Sequence, residues 1–342
     1  MSRNFKKRKN FKNNFTNSVL SIRPYQLLCI VCNIGENSIP EDKKLKNVLK
    51  EIRKFPDRPI ILQCNAGGVY SYQDPGVKED TPEGSDYNRK RDMDILQHLD
   101  LAPGSILPAR TLFLSLLKNI PTVSGICGYD IITSDAWKGC PKAKSGNYEK
   151  GIKRGIDAII PPRTKGEMLK SKEKTLKEIY KAKQFFILPH HLLCAVCQYG
   201  SGISPPYEPD NLPEFLERVS NEQELLITLI RGPEPIICAP CPYWVGKLKA
   251  CVGGAVGSGG LYDEIKDLNV LQKSGLTYGT TMKAKQMYKL IFEKIPNTKG
   301  ICCLNNTGKT KYSIWRDGCG TSFPDGNENY IRGRKILMKK FI

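Results

Sequence analysis

Hydrophobic positions fall along the chain in two series that repeat one another. The first opens on Pro24, Leu27, Leu28, Cys29, Val31 and Cys32, the second on Pro189, Leu192, Leu193, Cys194, Val196 and Cys197. Each opening reads as a cysteine pair at a tight turn, followed by turn residues and then an amphipathic helix. Leu45, Val48, Leu49, Ile52 and Phe55 form the apolar stripe of that helix in the first series; Leu212, Phe215, Leu216 and Val219 form it in the second. A short β-like run comes next, Pro59-Ile60-Ile61-Leu62 in one and Leu225-Leu226-Ile227-Thr228-Leu229-Ile230 in the other. Each run leads to a cysteine, Cys64 or Cys238. Further helices are predicted around 91–100 and 109–119, and around 263–274 and 281–294.

Four later landmarks recur in the same order. Arg91-Asp92 through Gln97 matches Lys266-Asp267 through Gln272, and Ile120-Pro121…Ile126-Cys127 matches Ile295-Pro296…Ile301-Cys302. Trp137…Gly139-Cys140 matches Trp315…Gly318-Cys319, and Asn147-Tyr148…Gly151 matches Asn329-Tyr330…Gly333. Agreement of this kind is the signature of an internal duplication. The chain therefore reads as an α+β protein of two tandem homologous cysteine-rich domains, each with several helices and a short β element. Repeat 1 spans residues 20–155 and repeat 2 spans 185–342. Between them lies a linker, 156–184, with a solvated connecting helix carrying Met168, Leu176, Ile179 and Tyr180.

Composition narrows the class. With 342 residues, 40% apolar and 25% charged, the chain suits soluble domains that bury real cores. No apolar run approaches the ~20 residues of a membrane helix, and the start of the chain lacks the apolar core of a secretory signal. These features predict a cytoplasmic protein, and that placement sets the reading of its 13 cysteines. In a reducing compartment clustered thiols are metal ligands or catalytic groups more often than disulfides. The net charge of +19 suits nucleic acid or an acidic protein partner. Residues 1–19 read as a basic disordered arm.

The spacing of the thiols suggests where a metal would sit. Cys238-x-x-Cys241, followed by Pro242, is a local ligand pair, and Cys194 and Cys251 can complete a set of four thiolates. Cys302, Cys303 and Cys319, with Cys197, form a second group. In repeat 1 the available ligands are Cys29, Cys32, Cys64, Cys127 and Cys140. His190 and His191, two of the chain's three histidines, are placed to ligate a metal, to hydrogen-bond a cluster sulfur, or to cap the following helical turn. Both an iron–sulfur cluster and Zn²⁺ are compatible with such a set. Cys194 beside the histidines is a weaker candidate nucleophile. Gly308-Lys309-Thr310 lacks the glycine a phosphate loop needs at position 303, and Gly253–Gly260 reads as a flexible loop.

Leu188-Pro189-His190-His191-Leu192-Leu193-Cys194, then Cys238-Ala239-Pro240-Cys241-Pro242 and Cys251, and finally Cys302, Trp315 and Cys319 resemble a small bacterial and archaeal domain family of unknown function. That family opens with R-P-H-H-L-L-C and continues to a C-x-x-C-P pair. Repeat 1 is a divergent relative, with Tyr25-Gln26 in place of the histidine pair and Cys64 alone at the C-x-x-C-P position. The resemblance implies iron–sulfur binding, with a 4Fe-4S cluster as the candidate form, for electron transfer with a redox partner or for redox sensing, mainly through repeat 2. The competing expectation is a zinc-stabilised module that binds nucleic acid through its basic surface. An enzyme using a cluster is a third.

Overall fold

The computed structural model describes residues 19–56, 58–64, 80–245, 250–251, 261–302 and 325–342. Repeat 1 begins with β1 (Leu20–Ile22), α1 (Pro24–Gly35), α2 (Lys43–Lys54) and β2 (Pro59–Leu62). It continues with α3 (Ser85–Leu99), β3 (Ile106–Pro108), α4 (Ala109–Asn119) and α5 (Asn147–Arg154). Two helices follow, α6 (Ile156–Ile159) and α7 (Lys165–Lys181). Repeat 2 then runs β4 (Gln184–Ile187), α8 (Pro189–Gly200), α9 (Leu212–Asn221), β5 (Leu226–Leu229), α10 (Pro235–Cys238), β6 (Trp244–Val245) and β7 (Ala250–Cys251). It closes with α11 (Leu261–Ser274), β8 (Thr281–Lys283), α12 (Ala284–Lys294) and α13 (Gly326–Phe341). The fold is α+β and the chain divides into two compact units, the second taking in Gly155–Ile342.

Both repeats build the same small sheet. β1 pairs parallel with β2, and β2 antiparallel with β3; β4, β5 and β8 repeat that order and those directions. The backbone bonds match one for one. Leu62 donates its N–H to the Ser105 carbonyl and accepts at its own carbonyl from Gly104 N–H, as Leu229 does with Thr280 and Gly279. This register makes Cys64, two residues past Leu62, the counterpart of Arg231 and not of Cys238. The alignment of Cys64 with the C-x-x-C-P pair is thus corrected: a strand's pairing, not the next cysteine along, fixes equivalence. The segment 281–283 is likewise a strand, β8, where a helix was expected.

The double-cysteine openings are helices rather than turns. Proline at the first helical position is pre-organised for the conformation, and α1 buries Leu27, Leu28, Ile30, Val31 and Ile34 all round its circumference. A helix apolar on every side belongs inside a core, and periodicity alone does not distinguish it from a strand or turn. Each opening helix is capped from outside. Tyr25 N–H donates to Asp92 Oδ1 at 2.9 Å, and His190 N–H donates to Asp267 Oδ1 at 2.8 Å. A buried carboxylate from α3 or α11 thereby meets free N–H groups and the positive end of the helix dipole.

The final helix of each repeat crosses the first at glycines. A Cβ added to Gly35 would overlap the Asn147 carbonyl, and one added to Gly200 would overlap that of Asn329; Gly151 and Gly333 abut the carbonyls of Val31 and Val196. The recurring tyrosine fastens the same pair of helices to the rest of its repeat. Tyr148 Oη donates to the Ile120 carbonyl at 2.8 Å, and Tyr330 Oη to Ile295 at 2.7 Å. Tyr330→Phe should lower the stability of repeat 2 by about 1–2 kcal/mol, because a buried carbonyl loses its donor. Chemical denaturation of the two proteins checks this, and an unchanged midpoint would contradict it.

Helix α7 is not a solvated spacer. Thr164 caps it through a reciprocal pair with Glu167, and it buries Lys172, Thr175 and Ile179. Lys172 Nζ lies 2.6 Å from Glu214 Oε1 of α9 and 2.6 Å from the Asp210 carbonyl. The apolar residues noted in the sequence were too few to reveal this face, since polar contacts hold much of it.

Candidate functional site

Repeat 2 holds an open cavity of about 340 Å³. Cys238, Cys241, Cys251, His190, His191 and Trp244 all line it. Local structure brings the thiols round. Glu234 caps α10 by accepting from Ile236 and Ile237 N–H, and Cys241 N–H turns back onto the Cys238 carbonyl at 3.0 Å. Trp244 then pairs with Cys251 across the β6–β7 ribbon. From just before α7, the Arg163 guanidinium donates to the carbonyls of Ala239 and Cys241 and so holds the turn. Arg163→Ala should loosen that turn and cost about 1–3 kcal/mol, measurable by denaturation; Arg163→Lys should recover part of the loss.

Charged groups stand at the cavity as well. His190 Nδ1 lies 2.7 Å from Asp267 Oδ1, and its Nε2 faces Asp263 Oδ1 at 3.6 Å. Lys266 Nζ lies 2.6 Å from the same Asp263 oxygen. Burial pushes Asp263 up, but Lys266 and the two histidines outweigh it and hold the carboxyl well below its usual range. Lys266 is raised despite its burial, chiefly by Asp263. Cys251 Sγ donates to Asp263 Oδ2 at 3.8 Å. Burial pushes Cys241 up to about 12 and Cys238 well above its ordinary value, so both are thiols near neutral pH until a cation displaces their protons. Burial also lowers His191, which stays neutral. Its Nδ1 is buried and has no hydrogen-bond partner among the described residues.

The remaining cysteines of repeat 2 stand elsewhere. Cys194 is near Lys266 and Tyr288, Cys302 is near Lys266 and Tyr330, and Cys197 Sγ donates to the Gly326 carbonyl at 3.1 Å. Cys194, expected with Cys238, Cys241 and Cys251, is not among the residues that line the cavity; on helix α8 it packs against the hydrophobic core. Cys303 and Cys319 lie outside the described residues. In the described residues no group of three or more His, Cys, Asp or Glu side chains is set to hold a metal ion. The donors stand round a cavity instead of meeting at a point.

No family model, curated protein or solved structure matches the chain. Its own two repeats supply the comparison. In repeat 1, Cys29, Cys32, Cys127 and Cys140 interact with one another beside Arg91, in the place of Cys194, Cys197 and Cys302 beside Lys266. Burial pushes Cys29 to about 11 and Cys127 to about 12. Cys64 is fully buried and lies just past β2. Among the described residues of repeat 1 the cavity-lining groups have no such counterparts. Tyr25 replaces His190, Gln26 replaces His191 and Asn88 replaces Asp263. The Arg91 guanidinium lies over the Tyr25 ring at 4.0 Å, with Arg23 over the same ring at 5.5 Å. Arg23 is in turn paired with Asp92 at 2.7 Å and with Asp80.

The duplication therefore separates two sets of residues. Asp92 and Asp267 cap a helix in both repeats, and the thiols beside Arg91 and Lys266 also occur in both. His190, His191, Asp263, Cys238, Cys241 and Cys251 belong to repeat 2 alone. Asp210, Asp263 and Asp267, which line the cavity, escaped the sequence reading, as did Lys266 and Arg163. The recurring Arg91-Asp92 and Lys266-Asp267 pairs were the available signal.

Proposed function

We propose that the protein binds an iron–sulfur cluster in the cavity of repeat 2 and uses it in electron transfer or redox sensing. The observation that carries this reading is that Cys238, Cys241 and Cys251 line one cavity with His191, whose Nδ1 has no hydrogen-bond partner among the described residues. This donor set fits a cluster, in which each thiolate takes a different iron, better than a single ion that needs its ligands within about 2.3 Å of one point. A cluster held there supplies one-electron chemistry. Cys238, Cys241 and Cys251 would bind it, Arg163 would keep their turn in place, and Trp244 would shield it from water. Asp267 fixes the ring of His190 at the cavity edge, the position of a residue that tunes electrostatics.

The decisive measurement is iron and acid-labile sulfide in protein purified without oxygen. Iron with matching sulfide, and visible absorbance bleached by dithionite, is the expected result. Zinc without sulfide, or neither metal, would overturn the reading. The net charge of +19 favours an acidic redox partner. It also supports a second reading, nucleic-acid binding, which predicts an affinity for RNA or DNA that falls steeply with salt; no binding at low salt would remove it. None of the helices in the described residues is long and apolar enough to cross a membrane.

A further inference from the structure

A cubane cluster carries one protein ligand on each iron, and the cavity of repeat 2 presents three thiols. We propose that His191 is the remaining ligand, and that Cys194, three residues later on the same helix, is not. This inference rests on the cluster reading of the cavity. His191 lines the same space as Cys238, Cys241 and Cys251, and its Nδ1 is buried with no hydrogen-bond partner among the described residues. A buried polar nitrogen is costly to leave unpaired, and ligation would satisfy it.

The neighbouring histidine has no such vacancy. Both ring nitrogens of His190 face carboxylates, Asp267 at 2.7 Å and Asp263 at 3.6 Å. Its ring packs edge-on against His191, with centroids 4.4 Å apart, and so fixes the orientation of the His191 ring. His190 is thus a positioning residue. Cys194 is not among the residues that line the cavity and interacts with Lys266 and Tyr288 instead.

Repeat 1 provides an internal control at the same helical position. Gln26 stands where His191 does, and its Oε1 accepts from Arg23 N–H at 2.9 Å, closing the start of its own helix. In repeat 1, which lacks the Cys238, Cys241 and Cys251 set, the side chain at this position serves the fold. In repeat 2 no hydrogen bond reaches His191 Nδ1 among the described residues, and the side chain lines the cavity instead.

The test is pulsed electron paramagnetic resonance on the dithionite-reduced full chain, grown with natural-abundance or ¹⁵N-labelled histidine. A nitrogen hyperfine coupling that changes with the label is expected. It should be lost in His191→Cys, which should keep wild-type iron and sulfide and show a lower reduction potential, because a thiolate adds negative charge to the cluster. Cys194→Ser should keep its iron, sulfide and nitrogen coupling. Iron and sulfide present without a histidine coupling, a coupling that survives in His191→Cys, or loss of iron in Cys194→Ser would each overturn the ligand assignment while leaving the cluster in place. Absence of iron and sulfide from the wild-type protein would overturn both. The labelled wild-type spectrum decides the matter even where a variant fails to fold.

Discussion

Gly200→Ala is expected to prevent repeat 2 from reaching its native packing. The new methyl would overlap the backbone carbonyl of Asn329, which no rotamer change can relieve, and it would press on Gly333 as well. Either α8 and α13 separate or their backbones distort. Both courses sacrifice the burial that the two helices provide, including Leu192, Leu193 and Val196 on α8 and Leu337 and Phe341 on α13. A loss of more than about 4 kcal/mol follows, a large share of what a typical domain has in total. Gly35→Ala should do the same to repeat 1 through Asn147. Gly202→Ala is the control: it has a φ of +89° but no atom within 4 Å of an added Cβ, so it should cost only about 1 kcal/mol. Thermal unfolding of the full chain, followed by calorimetry, reads the effect on each repeat. A Gly200→Ala protein with an unshifted profile would show that the helices do not cross as described.

This crossing also shows how far the sequence could be read. The landmark Asn147-Tyr148…Gly151 and its partner Asn329-Tyr330…Gly333 were visible as a repeat, but their meaning was not. A glycine pair between helices is legible only when both helices are known to meet. The amphipathic stripes of α2 and α9 were legible because their apolar positions keep the helical period. Helices α1 and α8 were not, because a fully buried helix has no polar face to mark its period. The strands β1, β3, β4 and β8 are at most four residues long, and short strands owe their existence to partners distant in sequence.

The candidate site was legible in its thiols and histidines and illegible in its grouping. C-x-x-C spacing says that Cys238 and Cys241 are neighbours, and β6–β7 pairing then adds Cys251. It does not say which side of α8 faces them. Cys194 follows His190 by four residues, a spacing that keeps two side chains on one face of a helix, yet the cavity reaches the first turn of α8 and stops before Cys194. The carboxylates carried no local motif at all. Asp263 and Asp267 are one helical turn apart on α11, and only tertiary packing turns them towards His190.

Cys238→Ser and Cys241→Ser are each expected to reduce the iron and sulfide content of the purified protein by roughly tenfold or more, with loss of visible absorbance. Serine keeps the size of the side chain but removes the soft thiolate that iron prefers. The turn itself should survive, since its bonds run between backbone groups and Arg163. Circular dichroism close to wild type would separate lost ligation from lost folding. The sharper contrast is with repeat 1, where Cys29→Ser and Cys32→Ser should leave iron and sulfide unchanged. There the position of the cavity wall is taken by Tyr25 beneath the guanidinium groups of Arg91 and Arg23, and a fixed positive charge already sits beside the thiols. Arg91 does for Cys29 and Cys127 what a cation would do, favouring negative charge on sulfur without binding it covalently. If iron instead disappeared with Cys29 or Cys32 and persisted without Cys238 and Cys241, the thiols common to both repeats would be the metal site. The cavity of repeat 2 would then need another ligand. The duplication makes the two outcomes easy to tell apart, because the cavity set belongs to repeat 2 alone while the thiols beside Arg91 and Lys266 occur in both repeats.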